Sequence, residues 1–117
     1  GTRATGRSGE TAACAYLAEK GYHVRERNLR FGRDEIDILA VDPADGVLVF
    51  AEVKARARVT SYAPEINLTA RKRACMARAA RRWVSRHGYG GGYRLDLLCV
   101  AGGRVTAHYR ELAWPLA

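Results

Sequence analysis

The alternation of apolar and polar positions along this chain predicts two helices and five strands. Apolar residues at helical spacing indicate a first helix that begins after Gly6, is capped by Ser8 and ends at Gly21. A second helix is indicated from about Leu68 to His87. Stretches of period two predict the strands, at residues 22–30, 35–41, 47–55, 93–100 and 105–109. This order predicts one domain over residues 1–117, of α/β or α+β class, with a mixed central sheet of about five strands flanked by helices.

The strand predicted at residues 47–55 has the character of a central strand that turns polar at its far end. Both of its faces are apolar over the first half, and Glu52 and Lys54 then share one face. The preceding strand carries Glu35 and Asp37 on one face in the same way. Burial of a charge is costly unless the charge is paired or binds a metal, so these four side chains indicate a functional site.

The turn between these strands determines which charged residues meet. Residues 43–46 contain Pro, Asp and Gly, and a four-residue loop there places Asp42 opposite Val47. Asp37 then lies opposite Glu52, with Cβ atoms about 5 Å apart, close enough for both carboxylates to share one hard cation. A slip of one residue would put the two carboxylates on opposite faces of the sheet. Magnesium suits two carboxylates together with waters and phosphate oxygens.

The same register leaves a purely structural interpretation open. Glu35 lies opposite Lys54, and in that interpretation the two form a cross-strand salt bridge at a polar sheet edge. The neighbouring carboxylates of Asp37 and Glu52 repel each other, however, so either a bound cation or a raised pKa is expected with them.

The composition favours a polyanionic partner. The chain of 117 residues contains 20 Lys and Arg against 12 Asp and Glu, for a formal net charge of +8. Seventeen of the basic residues are arginines, whose planar guanidinium suits phosphate. A basic excess attracts nucleic acid, although it also serves solubility alone.

Other chemistries are disfavoured by the sequence. Cys14, Cys75 and Cys99 are odd in number and lack ligand spacing, which indicates thiols in a reducing cytoplasm rather than a zinc site. The apolar runs are too short to span a bilayer and no leader segment is recognisable, so a cytoplasmic protein without membrane contact is expected. Asp96, in an apolar strand, is expected to be a buried structural carboxylate bonded to an arginine rather than a catalytic residue.

The second predicted helix has an apolar side and a basic side. The apolar side holds Met76, Ala77, Ala80, Trp83 and Val84. The other side holds Arg71, Arg78, Arg81, Arg82 and Arg86. Such a basic face is either simply solvated or follows a phosphate backbone. Lys72 lies at the border of the apolar side, in position to reach into the site, and Arg56 and Arg58 are further candidates for phosphate contacts.

Several motifs taken together resemble those of the YraN-like family. They are Gly6-x-x-Gly9-Glu10, Ala13, Tyr16-Leu17, Gly21-Tyr22, Arg27-Asn28, Glu35-Ile36-Asp37, Phe50-x-Glu52-Val53-Lys54-x-Arg56, Pro64-Glu65, Lys72 and Arg94-x-Asp96. This family of bacterial proteins is related to archaeal Holliday-junction resolvases. Asp37 followed by Glu52-Val53-Lys54 is similar to the Asp…Glu-X-Lys signature of restriction-endonuclease-like nucleases, the PD-(D/E)XK group. The resemblance implies a restriction-endonuclease-like fold, with a helix packed on a mixed sheet and a metal-dependent nuclease centre.

The resemblance also implies roles for individual residues. Asp37 is implied to be the principal metal ligand, Glu52 the second ligand, and the main-chain carbonyl of Val53 the third. Lys54 is implied to lie beside the attacked phosphate, where it orients the water and offsets developing negative charge. Glu10 is similar to a helix carboxylate of the resolvases that binds metal through water. The alternative for Glu10 is a favourable charge in the first helical turn.

Some positions remain less defined by the resemblance. Glu35 is interpreted either as a partner of Lys54 or as an auxiliary metal ligand. Lys72 matches a lysine of the family that points into the site. Asp34 stands where relatives usually have glycine, which adds a negative charge that can disturb the local turn but leaves the core motif intact. Ala51 replaces a more usual valine.

The leading hypothesis is a cytoplasmic, Mg²⁺- or Mn²⁺-dependent endonuclease that acts on structured DNA, including branched DNA. One alternative is a nucleic-acid-binding module that retains the nuclease fold without turnover. A weaker one is a basic partner-binding protein with an ionic hairpin. The resolvases that the chain resembles act as symmetric dimers, so a homodimer is expected. The choice between DNA and RNA is left open by the sequence.

Overall fold

Two helices and five strands follow one another in the predicted order. The computed structural model describes residues 2–56 and 68–112, with side chains described from residue 8 onward. The elements are α1 (Thr2–Glu19), β1 (His23–Phe31), β2 (Asp34–Val41), β3 (Leu48–Arg56), α2 (Ala70–Arg86), β4 (Tyr93–Ala101) and β5 (Arg104–Tyr109). Every predicted strand is present, with bounds within two residues of those expected.

The strands form one mixed sheet in the order β1-β2-β3-β4-β5. β3 and β4 are parallel, whereas the other neighbouring strands are antiparallel. The predicted α/β class and the mixed five-stranded sheet are therefore confirmed. β3 occupies the centre, as its two apolar faces predicted, and the polar β1 is an edge strand.

The two helices cover opposite faces of the sheet. Trp83 of α2 packs with Phe50 of β3 in one buried cluster. Leu17 of α1 packs with Val49 of β3 in a second cluster on the other face. β3 is thus enclosed on both sides, and its polar end lies where both helices can contribute side chains. Within the described ranges, neither helix is long and apolar enough to cross a membrane.

α1 begins earlier than predicted. It starts at Thr2, so Ser8 lies inside the helix and is not its N-cap. A glycine inside a helix costs only about 1 kcal/mol, which tertiary packing readily outweighs, and Gly6 therefore does not mark the start. Gly21 ends the helix as predicted, with a φ of +90° that favours glycine.

α2 agrees closely with its prediction. The side chain of Thr69 caps the helix by accepting a hydrogen bond from the Lys72 amide at 3.0 Å. Its apolar side is buried on the sheet, and Met76 and Trp83 are almost completely enclosed. The five arginines predicted on the other side, Arg71, Arg78, Arg81, Arg82 and Arg86, are all exposed.

Candidate active site

The register of the β2–β3 hairpin is the one that the loop length predicted. The strands pair Val41 with Leu48, Ala40 with Val49, Leu39 with Phe50 and Ile38 with Ala51. The Asp42 amide donates to the Val47 carbonyl at 3.0 Å, which closes a four-residue loop over residues 43–46. The register keeps Asp37 and Glu52 at the same end of the two strands.

The pairing stops one step before the predicted Asp37–Glu52 pair, which corrects the expected geometry. Beyond Ile38 the two strands separate, and Asp37 Oδ2 accepts a hydrogen bond from the Val53 amide at 2.7 Å. The Asp37 carboxylate takes the place of a main-chain acceptor for the partly buried Val53 amide. The predicted strand pairs of Asp37 with Glu52 and of Glu35 with Lys54 are therefore not part of the ladder.

The alternation of side chains along β2 is also interrupted at this point. Ile36 and Leu39 are an odd number of residues apart, yet both pack in the cluster beneath α2. On the other side of β2, Asn28 of β1 lies opposite Asp37 and has a φ of +55°. Strict alternation of side chains is therefore interrupted between Ile36 and Leu39, the stretch of β2 that contains Asp37.

Glu52 is buried and lies next to a lysine from α2. Its side chain is 9% exposed, and Oε2 lies 3.4 Å from Lys72 Nζ without forming a hydrogen bond. The Thr69 cap fixes the first turn of α2, which carries Lys72. The structure thus brings Lys72 into the site, where the sequence placed it.

Burial and mutual repulsion perturb both carboxylates of the pair. The pKa of Glu52 is raised to about 7 by burial and by the charge of Asp37, against the opposing effects of Lys72 and Lys54. The pKa of Asp37 is also raised, mainly by burial, although the Val53 amide stabilises its ionised form. A raised pKa was one of the two outcomes expected for closely placed carboxylates. A divalent cation would restore full ionisation to both groups.

Glu10 reaches the same site from α1. Its pKa is raised by burial and then by the charge of Asp37, and its Oε1 is buried without a hydrogen-bond partner. The preceding Gly9 packs so closely on β3 that an added Cβ would overlap the Cβ of Ala55. Because α1 begins at Thr2, Glu10 is not in its first turn, and the first-turn explanation for this carboxylate is wrong.

Glu35 and Lys54 occupy the outer part of the site. Glu35 forms an ion pair with Arg30 of β1 at 3.9 Å, with the two side chains 38% and 75% exposed. Such an exposed pair contributes little to stability. The charge of Glu35 helps to raise the pKa of Asp37. The half-buried Lys54 acts on Glu52 electrostatically.

The predicted phosphate-contact residues fall into different environments. Arg71 is exposed in the first turn of α2, and Arg56 is half-buried at the end of β3. Arg82 is exposed and donates to the Phe31 carbonyl at 3.2 Å. Arg58 lies outside the described residues.

Arg78 has a partner that the sequence did not indicate. Its Nε and Nη2 donate to Asp34 at 2.6 and 2.8 Å in a bidentate pair. These hydrogen bonds lower the pKa of the buried Asp34 carboxyl. Asp34 is therefore paired with Arg78. It begins β2, opposite Phe31, with its negative charge neutralised.

A second polar cluster, centred on Arg94 and Asp96 of β4, was only partly foreseen. The fully buried Asp96 accepts hydrogen bonds from Arg94 Nε at 2.9 Å and the Glu111 amide at 3.1 Å, and it lies 2.8 Å from His108 Nε2. Its expected structural role with an arginine is confirmed. Arg94 also donates to Asp42 at 2.8 Å, a link that the sequence reasoning missed.

The part of this cluster that Asp42 and Arg94 form is separate from the candidate active site. Asp42 directly follows β2 and lies five residues beyond Asp37, roughly 17 Å along an extended chain. The available sequence signal was Arg94 itself, a charged residue two positions before Asp96 and therefore on the same face of an apolar strand.

The donor set of the candidate active site suits a hard cation. Considering only the residues that the structure describes, no group of three or more His, Cys, Asp or Glu side chains is arranged to hold a metal. Two carboxylates suffice for Mg²⁺, which usually keeps several waters. The buried oxygens Glu52 Oε2 and Glu10 Oε1 have no hydrogen-bond partner, so the site fits a bound cation.

Fold and site together define an α/β protein with a buried acidic cluster and adjacent lysines at one end of its sheet. The chain belongs to the uncharacterised protein family UPF0102, whose model matches residues 9–100.

Curated relatives support this assignment over most of the chain. The UPF0102 protein of Pelobacter propionicus is 38% identical over 120 residues, covering 98% of this chain and 85% of the relative. The UPF0102 protein of Cytophaga hutchinsonii is 32% identical over 107 residues, covering 92% of this chain and 93% of the relative. The UPF0102 protein of Oleidesulfovibrio alaskensis is 47% identical over 98 residues. The match covers 83% of this chain but only 48% of the length of that relative.

A solved structure shows a distant likeness. The complex described as "Structure of EndoMS-dsDNA2 complex" matches 82% of this chain and 38% of its own chain, with 19% sequence identity and a TM-score of 0.40. At this level of similarity nothing follows for the activity of the present chain.

Proposed function

We propose that this chain is a Mg²⁺- or Mn²⁺-dependent endonuclease that hydrolyses phosphodiester bonds in structured DNA, including branched DNA. One observation carries the proposal. Two carboxylates with raised pKa values, the half-buried Asp37 and the buried Glu52, lie together where the pairing of β2 and β3 ends, with Lys72 beside Glu52. Perturbed carboxylates held in a fixed position beside lysines are typical of catalytic sites.

Asp37 and Glu52 would hold the cation, with the Val53 carbonyl as a further ligand and Glu10 acting through a bound water. A divalent cation supplies charge to the phosphate oxygens and lowers the pKa of a bound water. The protein's own contribution is to keep the ligands in place. The Val53 amide fixes one oxygen of Asp37, and Lys72 favours the ionised form of Glu52.

Lys54 would supply positive charge at the reacting phosphate. It follows Glu52 by two residues on β3, and its charge already acts on that carboxylate. Hydrolysis of a phosphodiester places extra negative charge on the phosphate oxygens in the transition state. A preorganised ammonium group near them offsets that charge, and it also orients the attacking water. Glu35 supports the cluster as a neighbouring carboxylate of Asp37.

The basic surface would bind the DNA backbone. The net charge of +8 favours encounter with nucleic acid. Arg71 and Arg82 of α2 are exposed, and Arg56 follows the candidate site on β3. Cleavage of a branched junction requires cuts in two strands, for which a symmetric homodimer provides two sites.

One observation favours a non-catalytic nucleic-acid-binding module as the second candidate. Lys72 already places a positive charge 3.4 Å from Glu52, where it compensates part of the negative charge of the cluster. A chain that retained this ion pair in place of a metal would bind DNA without cleaving it.

A cleavage assay with linear, flap and four-way DNA substrates distinguishes the two candidates. The endonuclease proposal expects the wild type to cut flap or four-way DNA with Mg²⁺ or Mn²⁺ and not with EDTA. Asp37→Asn should abolish cleavage and retain DNA binding, whereas Asp45→Asn in the hairpin loop should cut normally. Binding by the wild type without cleavage of any substrate would instead support the module.

A further inference from the structure

One flank of α2 carries basic residues along almost its whole length. The helix holds seven Lys and Arg residues and no Asp or Glu among its 17 residues. Four of the basic residues are Lys72, Arg78, Arg82 and Arg86. At about 100° per residue these four fall within roughly a third of the helix circumference. We call these four residues the basic flank.

The first half of the basic flank begins beside the candidate active site and leads away from it along the same end of the sheet. Lys72 lies 3.4 Å from Glu52 on β3. Arg78, farther along the helix, binds Asp34 at the start of β2. The flank therefore crosses from the central strand toward the edge of the sheet.

The second half of the basic flank is held by the end of β1. Arg82 Nη1 donates to the Phe31 carbonyl at 3.2 Å. The guanidinium of Arg86 lies 5.3 Å from the centre of the Phe31 ring. A Cβ on the adjacent Gly32 would lie 3.8 Å from Arg82 Nη1, an ordinary van der Waals separation, so the turn lies beside the Arg82 guanidinium. These contacts order the two arginines in advance, which reduces the entropy lost when they bind a ligand.

An open depression of about 540 Å³ lies on this part of the helix. It is lined by Arg78, Arg81, Arg82, Ser85 and Arg86. Guanidinium groups present several N–H donors in a fixed fork that matches phosphate oxygens, and the serine hydroxyl adds another donor. The lining is thus suited to the phosphate groups of a nucleic-acid backbone.

We propose that this depression binds a backbone phosphate of the same DNA strand that enters the Asp37–Glu52 site, an inference that rests on the proposed function. The ten residues from Lys72 to Arg82 correspond to about 15 Å along the helix. That length spans roughly four phosphates of one strand in a duplex lying along α2, at 3.4 Å each. The substrate must therefore continue for about four nucleotides on one side of the bond that is cut.

DNA-binding measurements with a matched pair of variants test this inference. Arg82→Gln/Arg86→Gln removes two charges from the basic flank. Lys20→Gln/Arg110→Gln removes two exposed charges, one just after α1 and one just after β5 beside Asp42, and neither residue lies on α2. Fluorescence anisotropy with a labelled DNA duplex in EDTA gives the affinity as a function of salt concentration. A thermal melt of each variant checks that it is folded.

The flank variant should bind DNA about tenfold more weakly than the wild type, and the slope of log affinity against log salt should fall by about 0.9, the value for one lost phosphate contact. The control should lose less than about threefold, with the slope unchanged. Equal losses in both variants would overturn the inference, because net charge alone would then explain them. Loss of duplex RNA binding with DNA binding intact would also overturn it.

The cleavage assay separates this inference from the function on which it rests. If the wild type cuts DNA and the flank variant binds like the control, the proposed function stands and the inference fails. If the flank variant shows the specific loss but the wild type cuts nothing, the depression binds DNA and the endonuclease proposal fails.

Discussion

Asp37 accepts a hydrogen bond from the Val53 amide at 2.7 Å, at the step where β2 and β3 stop pairing. This contact substitutes a carboxylate oxygen for a main-chain carbonyl and fixes the side chain between the two strands. It also stabilises the ionised form of Asp37 against the effect of burial. The candidate active site therefore depends on a local end of the β2–β3 pairing, where the Asp37 side chain accepts the hydrogen bond of the Val53 amide.

Glu52→Gln should change how stability depends on pH. The raised pKa of Glu52, about 7 against 4.5, means that the native state binds more protons than the unfolded state between these values. Wild-type stability is therefore lost as pH rises through this interval. At about pH 8 the ionised, largely buried Glu52 costs at most about 3 kcal/mol, and the variant lacks this cost.

Urea unfolding of both proteins without divalent cations, at about pH 4.5 and pH 8, measures this difference. The variant should gain stability relative to the wild type as the pH rises. A difference between the two proteins that does not change with pH would show that Glu52 is not perturbed by its surroundings.

Lys54→Met should remove cleavage while it leaves DNA binding nearly intact. The variant loses the ammonium group that offsets charge in the transition state, an effect of about 100-fold or more in rate. Single-turnover cleavage and anisotropy on the same substrate separate chemistry from binding, and Lys20→Met at the exposed end of α1 is the control. A variant that cuts within tenfold of the wild-type rate, an energy of about 1.4 kcal/mol, would remove Lys54 from the mechanism.

Asp34→Asn should destabilise the protein and strengthen DNA binding at the same time. The variant loses the bidentate ion pair with Arg78 and leaves that guanidinium available to a phosphate. Calorimetry should show a melting temperature several degrees lower, and anisotropy a higher DNA affinity. Asp45→Asn removes the same charge from the exposed hairpin loop, and identical behaviour of the two variants would contradict this role of Asp34.

Asp96→Asn should act on stability rather than on catalysis. Asp96 is fully buried, and its pKa is held below the usual value by His108 and Arg94 despite burial. Loss of its charge leaves Arg94 without one of its two carboxylate partners, and breaking a buried pair costs about 3–5 kcal/mol. Urea unfolding near neutral pH measures the loss, with Glu19→Gln as an exposed control. A variant of wild-type stability that cuts no DNA would instead make Asp96 catalytic.

The depressed pKa of Asp96 also predicts a pH dependence. Its stabilising contribution is present above the unfolded-state value and is lost as pH falls through the lower native value. The wild type should lose this advantage over Asp96→Asn under acidic conditions. An advantage that is constant down to acidic pH would contradict the assignment.

Much of the fold could be predicted because it depends on local patterns. The four-residue loop and the alternation of β3 were enough to predict the register of the hairpin, whose loop is closed by the hydrogen bond between Asp42 and Val47. The break at Asp37 could not be predicted, because it depends on an amide contributed by Val53 in the next strand. A prediction from side-chain alternation assumes that two strands stay paired along their whole length, and β2 and β3 do not.

The remaining differences arise from contacts between residues far apart in the chain. Asp34 and Arg78 are separated by 44 positions, so the sequence did not indicate that the charge of Asp34 is paired with Arg78. Glu10 reaches the site only because Gly9 allows α1 to approach Ala55. The sequence identified these residues, but their partners required the three-dimensional structure.

Calorimetric titration of Mn²⁺ into the protein tests most directly whether Asp37 and Glu52 hold a divalent cation. At about pH 8, above the raised pKa of Glu52, the wild type and the control Asp45→Asn should bind Mn²⁺ with similar affinity. Asp37→Asn should bind at least tenfold more weakly, a difference of about 1.4 kcal/mol. Equal binding by Asp37→Asn and the wild type, or none by the wild type, would contradict the assignment of the metal site.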